Sequence, residues 1–393
     1  MSQLVMTVNK SNKVYRVAVS TLFFLQGLCF ATWASRIPSI QQQMGLSESM
    51  LGLILFAIPV GSLVSLVFSG ALVTRFGSKK VASYALLLYS LFLPIIGFAE
   101  TPLLLVGGLV LFGIAGNTAN IAINTQAVHL EARYGRNIMA SFHGLWSLAG
   151  FFAAGIGAFM ISSGVVPLTH FIIVAMVLVT GAAVCFQYLL PDEQRSAEKT
   201  PLFVRPDKTL LTLGVLAFCC MICEGAMFDW SGIYFQKVVQ ADKAWVGAGY
   251  TAFMCAMATG RFVADWVANK LRFQRTIFFS GLLIAAGLSL SVVFPFLLTA
   301  IIGFMLVGFG VSSVIPLVYS EAGKAKSTSA GMALTAVSSI GFLGFLMGPP
   351  LIGVIAGAFT LRVSFAFIAL MGLLITFIIS RSGRKKQVPS EMA

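Results

Sequence analysis

The sequence predicts an all-α membrane protein, with twelve transmembrane helices arranged as two pseudo-symmetric six-helix bundles. Three observations predict it. Of 393 residues, 58% are hydrophobic and only 10% charged, against about 25% charged in a soluble domain. Apolar windows of about 20 residues, the length that crosses a bilayer as a helix, recur twelve times. The basic residues gather in every second connection between those windows. Strands are excluded, because an open sheet in lipid leaves edge groups unsatisfied and barrel strands are shorter and alternate in polarity.

Helix 1 (14–37) holds Gln26 and Trp33 on one face and Arg36 at its outer end. It is too long for a signal-peptide core and lacks a convincing cleavage site, so it is expected to remain as a span. Helix 2 (49–74) runs into the basic loop of GALVTRFGSKK, and helix 3 covers 81–99. Helix 4 (103–126) sets Asn117, Asn120 and Asn124 on one face by their spacing. Helix 5 (140–162) aligns His143, Trp146, Ser147 and Gly150, and helix 6 covers 165–189. A polar linker, 191–208, divides the chain into an N-terminal bundle (1–190) and a C-terminal bundle (209–393).

Helix 7 (209–235) carries EGAMFDW, an echo of QGLCFATW in helix 1. Helix 8 (245–267) runs from GRFVAD into a basic loop, as helix 2 does, and helix 9 covers 276–293. Helix 10 (296–320) aligns Ser312, Pro316, Tyr319 and Ser320. Helix 11 (329–353) aligns Thr335, Ser338, Ser339 and Phe342, and ends in GPPLIG; helix 12 covers 360–381. Pro316, Pro349 and Pro350 each remove a backbone donor and mark bends, fixed or hinged.

With the N-terminus in the cytoplasm, every basic cluster lies inside: Lys10 to Arg16, Arg75 to Lys80, Arg133 and Arg136, the linker, Lys270 to Arg275, Lys324 and Lys326, and Arg381 to Lys386. Only Arg36, Lys237, Lys243, Arg261 and Arg362 fall elsewhere. One helix more or fewer breaks this alternation, so the positive-inside rule predicts a multi-pass plasma-membrane protein, in a bacterium the inner membrane, with both termini cytoplasmic.

The net charge of +13 therefore reflects topology and not a nucleic-acid surface, since no basic domain with interleaved aromatics exists. All six cysteines sit in apolar runs. The Cys220–Cys223 pair has no second ligand pair, so packing residues are expected and no metal or cofactor. No Walker-type phosphate loop, G-x-S-x-G elbow or H-E-x-x-H site occurs, which argues against an ATP-driven pump on this chain alone and against an enzyme.

Ionisable groups in a bilayer cost roughly 2.5–3.5 kcal/mol on insertion scales and need a reason. Of 13 acidic residues, Glu224 and Asp229 alone lie well inside a span. Glu224 is the candidate for proton coupling or solute contact, or else a protonated helix-packing group. Asp229, about 7.5 Å nearer the outside, is a second proton-coupling candidate and a gate partner for Arg36 across the cleft; Arg36 also reads as a snorkelling side chain. The asparagines suit hydroxyl groups of a solute or glue between helices. Gln26, Asn117, Asn120, Asn124, Trp146, Glu224 and Ser338 form the candidate solute-binding set, and His143 is a candidate gate or packing residue near the inner end. Trp33 and Trp230 read as ring-stacking groups or, by a slight preference, as part of the outer aromatic belt.

The repeated halves resemble the major facilitator superfamily over the whole chain. The stretch from Gly70 to Lys80 resembles its loop signature G-x-L-x-D-R-x-G-R-K, keeping Gly70, Leu72, Arg75, Gly77 and Lys79. It departs at Thr74, where the signature has Asp; Asp265 in GRFVAD is the candidate for that charge in the second half. WASRIP, FHGLWSLAG, EGAMFDW and GPPLIG resemble the YbjJ-like inner-membrane branch, distantly similar to the fucose permeases. Those permeases use carboxylates in helices 1 and 4 for proton coupling, whereas this chain has Gln26 and asparagines there, so their scheme does not carry over. The resemblance implies a monomeric secondary carrier of a small polar solute, such as a sugar or related metabolite, working by alternating access with protons as coupling ion. The abundant Phe (34) and Met (16) leave an exporter of drugs or metabolites open. A receptor or scaffold that has lost transport is the third reading.

Overall fold

The computed structural model describes residues 12–134, 138–191, 207–322, 324 and 330–384, without the side chains of 140, 264–269, 330–332, 334, 335 and 382–384. The described residues fold into α1 (Asn12–Met44), α2 (Glu48–Phe76), α3 (Ser78–Gly97), α4 (Pro102–Tyr134), α5 (Met139–Ser162), α6 (Pro167–Phe186) and α7 (Lys208–Lys237). They continue as α8 (248–271), α9 (273–293), α10 (Leu297–Ala322), α11 (Ala330–Ala358) and α12 (Leu361–Arg384). Eleven of these stretches are long and apolar enough to cross a membrane. The twelfth is α8, whose polar content, Arg261 and Asp265 included, lowers its hydropathy. Most of the linker, 192–206, lies outside the described residues, as do Lys10, Arg136 and Lys326.

Local chemistry sets the breaks. Pro59 has no N–H to offer the carbonyl of Leu55, and α2 breaks at Phe56. Gly77, at φ 86° and ψ 149°, turns α2 into α3 without an intervening loop. Arg272, at φ 66° and ψ 156°, does the same between α8 and α9. That backbone region suits glycine, so Gly77 in the loop signature has a steric reason, and the second half repeats the turn with a strained residue. α1 runs through Pro38 to Met44 and α4 runs on to Tyr134, both beyond the stretch that apolarity alone marks out.

In the first half α1 packs on α4, α5 and α6, α2 and α3 pack on α4, and α3 packs on α6. In the second, α7 packs on α10, α11 and α12. The halves meet where α1 faces α7, α2 faces α11 and α5 faces α8. Polar contacts between them gather at the end remote from the termini. There Lys237 Nζ meets Glu48 Oε1 at 2.5 Å, Ser49 Oγ donates to Gly353 O at 3.3 Å, and Gln236 Nε2 donates to Gln42 Oε1 at 3.4 Å. This far end is closed. Around the outside, Val67, Leu103, Phe159, Phe296 and Leu298 stand exposed, the apolar coat of a chain whose solvent is lipid.

Candidate functional site

Between the halves lies a cavity of about 300 Å³. Its polar wall joins α1, α4 and α5 of the first half to α7 and α8 of the second: Gln26, Asn117, Asn120, His143, Glu224 and Arg261. Its apolar wall is aromatic, with Phe23, Phe30, Tyr89, Phe112, Trp146 and Phe345. An α-helix in lipid turns its polar residues toward protein, and this rule brings side chains far apart in sequence to one place.

The charges are organised around Arg261. Its Nη2 meets Glu224 Oε1 at 3.1 Å, with both side chains largely buried. Its Nη1 donates to Ser147 Oγ at 2.5 Å across the boundary between halves, and Ser147 Oγ donates onward to the carbonyl of His143 at 3.1 Å. The guanidinium also stands 6.0 Å from the Trp146 ring centroid. One arginine on α8 therefore holds the acidic group of its own half and a hydroxyl and ring of the other.

Gln26 donates from Nε2 to Gly116 O at 3.3 Å, while its buried Oε1 has no protein partner. Asn117 donates from Nδ2 to Ser62 O at 3.1 Å and Ser65 Oγ at 2.7 Å, so it joins α2 to α4 as well as lining the cavity. Asn124 donates to Asn120 O at 2.8 Å and Oδ1 at 3.2 Å. His143 stands edge-on to Phe23, with ring centroids 5.2 Å apart. Phe228, one turn beyond Glu224, packs behind the lining rings on the far side. Its ring lies 5.3 Å from Phe30, 5.8 Å from Phe253 and 6.1 Å from Trp146.

The structure thus brings Gln26, Asn117, Asn120, His143, Trp146 and Glu224 to one cavity, whereas Asn124, Ser338 and Asp229 are not among its lining residues. Arg36 and Asp229 do not pair as the sequence suggested. Arg36 is 2% exposed and donates to Val165 O at 2.5 Å in its own half, while Asp229 is buried within electrostatic reach of Tyr250 on α8. Sequence placed both near the outer ends of their helices but could not fix their rotation. Arg36 does not snorkel either. Trp33 and Trp230, at 1% and 0% exposure, lie in the interior and not in an outer belt. Arg75 is exposed with its guanidinium 5.3 Å from the Phe76 ring centroid, Gly70 has open space at its Cβ position, and the side chain of Asp265 is outside the described residues.

Arg261, Tyr89 and Tyr319 were not singled out as site residues by sequence reasoning. For Arg261 a signal existed, since a cation inside an apolar helix needs a partner, and Glu224 is one of the few carboxylates inside a span. Tyr319 carried a weak one, its alignment with Ser312 and Ser320 on helix 10, and Tyr89 carried none, because an aromatic lining a cavity and one facing lipid look alike in sequence.

The sequence profile of the Major Facilitator Superfamily matches residues 19–342. The chain is 33% identical to an uncharacterised MFS-type transporter of Yersinia pestis, with 91% of this chain and 92% of that one covered. It is 32% identical to the membrane protein MosC of Rhizobium meliloti, over 93% and 90% of the two chains. Among solved structures, the nucleoside transporter NupG superposes with a TM-score of 0.71 at 12% identity, covering 94% of this chain and 99% of that one. An inward-facing, occupied bacterial homologue of the human lysosomal transporter Spinster superposes with a TM-score of 0.73 at 13% identity, covering 96% and 99%. At such identities the likeness is one of fold.

Proposed function

We propose that this chain, which belongs to the Major Facilitator Superfamily, is a secondary carrier that moves a small polar solute through the inter-bundle cavity by alternating access, with a proton as coupling ion. The observation that carries the proposal is the Glu224–Arg261–Ser147 connection. It is a buried charge pair, inside a cavity of solute size, whose cation is bonded to both halves. Moving the halves must stretch or break it, and the solute and the protonation state of Glu224 act on the same bonds. Gln26 and the asparagines supply donors and acceptors for solute hydroxyls, and Trp146 supplies a ring face. The bundles 1–190 and 209–393 rock about the linker 191–208, which lies in the cytoplasm with both termini, and the far end faces the periplasm of a bacterial cell. The carrier acts as a monomer.

The test is uptake into proteoliposomes under an imposed pH gradient. Glu224→Gln removes the titrating group but keeps a hydrogen-bonding side chain of similar shape. We expect pH-driven accumulation to fall to the rate of empty liposomes while downhill exchange of the same solute persists. Full pH-driven accumulation in Glu224→Gln removes Glu224 from coupling.

The aromatic walls favour a second reading, export of an amphipathic drug or metabolite. It predicts that loss of the protein sensitises cells to amphipathic compounds, whereas the first reading predicts impaired entry of a hydroxylated solute.

A further inference from the structure

We infer a second, separate binding site, for a small oxyanion, a carboxylate or phosphate group, at the closed far end between the two halves. A cavity of about 260 Å³ lies there, walled by the end of α1, the α5–α6 connection, the end of α7 and the α7–α8 connection. Arg36 from the first half and Lys243 from the second both line it, and among the described residues no acidic side chain does. Arg36 is 2% exposed. One of its nitrogens donates to Val165 O, while Nε and Nη1 have no protein partner. A guanidinium out of water with two of its nitrogens unbonded is costly, and an anion placed against it removes the cost.

The start of α6 adds to this field. Val165, Val166 and Pro167 line the same cavity. Pro167 stands in the first turn of a 20-residue helix, and the cap residue Val166 supplies no side-chain bond to the free N–H groups. The positive end of that helix dipole therefore lies at this wall of the cavity. Buried arginine, lysine and uncapped helix start thus converge on one space without a counter-charge, whereas the neighbouring Lys237 has Glu48.

The site differs from the central cavity in place and in chemistry. Because Arg36 and Lys243 belong to different halves, closing the far end brings two cations to one cavity. An anion between them turns repulsion into a clamp and favours the closed far end. Its source is either a free solute anion or the headgroup of an anionic lipid, which share this chemistry.

The test is thermal unfolding of the purified full chain in detergent, in sodium phosphate, sodium gluconate or sodium chloride at matched ionic strength, and in neutral micelles doped with phosphatidylglycerol. A ligand that binds only the folded state raises Tm by mass action, here by about 2–4 °C near saturation. We expect a saturable rise in the wild type that is lost in Lys243→Gln and in Arg36→Gln. Lys243 is exposed, so Lys243→Gln keeps the test decisive if the buried Arg36 variant fails to fold. A rise with phosphate or gluconate identifies a free oxyanion, and a rise with phosphatidylglycerol alone identifies a headgroup. No rise with any probe, or equal rises in wild type and Lys243→Gln, overturns the site.

Discussion

Replacing Arg261 by glutamine is expected to stop transport and to destabilise the folded chain. The substitution leaves Glu224 buried without its cation and frees Ser147 Oγ and the Trp146 face. Breaking one side of a buried ion pair costs about 3–5 kcal/mol, much of it the cost of the stranded charge. Removing both charges is far less harmful, because two amides of similar shape strand nothing. The double variant Glu224→Gln/Arg261→Gln is therefore expected to recover most of the lost thermal stability while staying inactive in pH-driven uptake. Thermal unfolding in detergent and uptake by reconstituted protein read the two effects separately. No recovery of stability would show that the pair does not act as a unit, and recovery of pH-driven uptake would show that coupling does not need it.

Gly353→Val is the second large effect, and it acts on conformation. At the far end α2 and α11 cross backbone to backbone. A Cβ on Gly353 lies 2.7 Å from Glu48 O and 2.8 Å from Gly52 Cα, atoms that no rotamer change can move aside. Overpacking of this kind costs about 1–3 kcal/mol or more. The contact lies between the halves and not within either, so each half still folds and the cost falls on the state with the far end closed. A shift of about 1.4 kcal/mol is a factor of ten in an equilibrium, so about 1–3 kcal/mol favours the open far end by roughly 5- to 150-fold. Transport falls because the cycle cannot return through the closed state. A cysteine placed at Asn120 reports the change as faster labelling by an impermeant maleimide from the far side.

The sequence showed the fold in outline because lipid imposes a length and a polarity that can be read directly. It fell short at α1 and α4, which continue past the apolar windows through PSIQQQM and from Ala127 to Tyr134. Hydropathy measures the stretch that meets lipid and not where backbone hydrogen bonding stops. Much of the central cavity was legible for the same reason, since Gln26, Asn117, Asn120 and Glu224 are polar groups that lipid would reject. The turn at Gly77 was visible in the loop signature, and its counterpart at Arg272 was hidden because arginine does not announce a positive φ.

What stayed illegible depended on rotation and on pairing across the chain. Spacing shows that Arg36 and Asp229 sit near the outer ends of their helices but not whether they face each other; each turns into its own half. Trp33 and Trp230 lie at belt depth but face inward, which depth alone does not reveal. Phe228 is one phenylalanine among 34 until its ring is seen to pack against Phe30, Trp146 and Phe345, which line the cavity. Asn117 shows how lining and helix glue, opposed as readings of sequence, coexist in one side chain.

The central claim is that the cavity around Glu224 and Arg261 opens in turn to the two sides of the membrane. Side-specific labelling of Asn120→Cys in otherwise unaltered protein, with impermeant maleimide applied to either face of sealed vesicles, tests it most directly. The account predicts labelling from both faces, with the rate from the far face rising when Gly353→Val is added and the rate from the face of the termini falling. Labelling from one face only, unchanged by Gly353→Val, would contradict it.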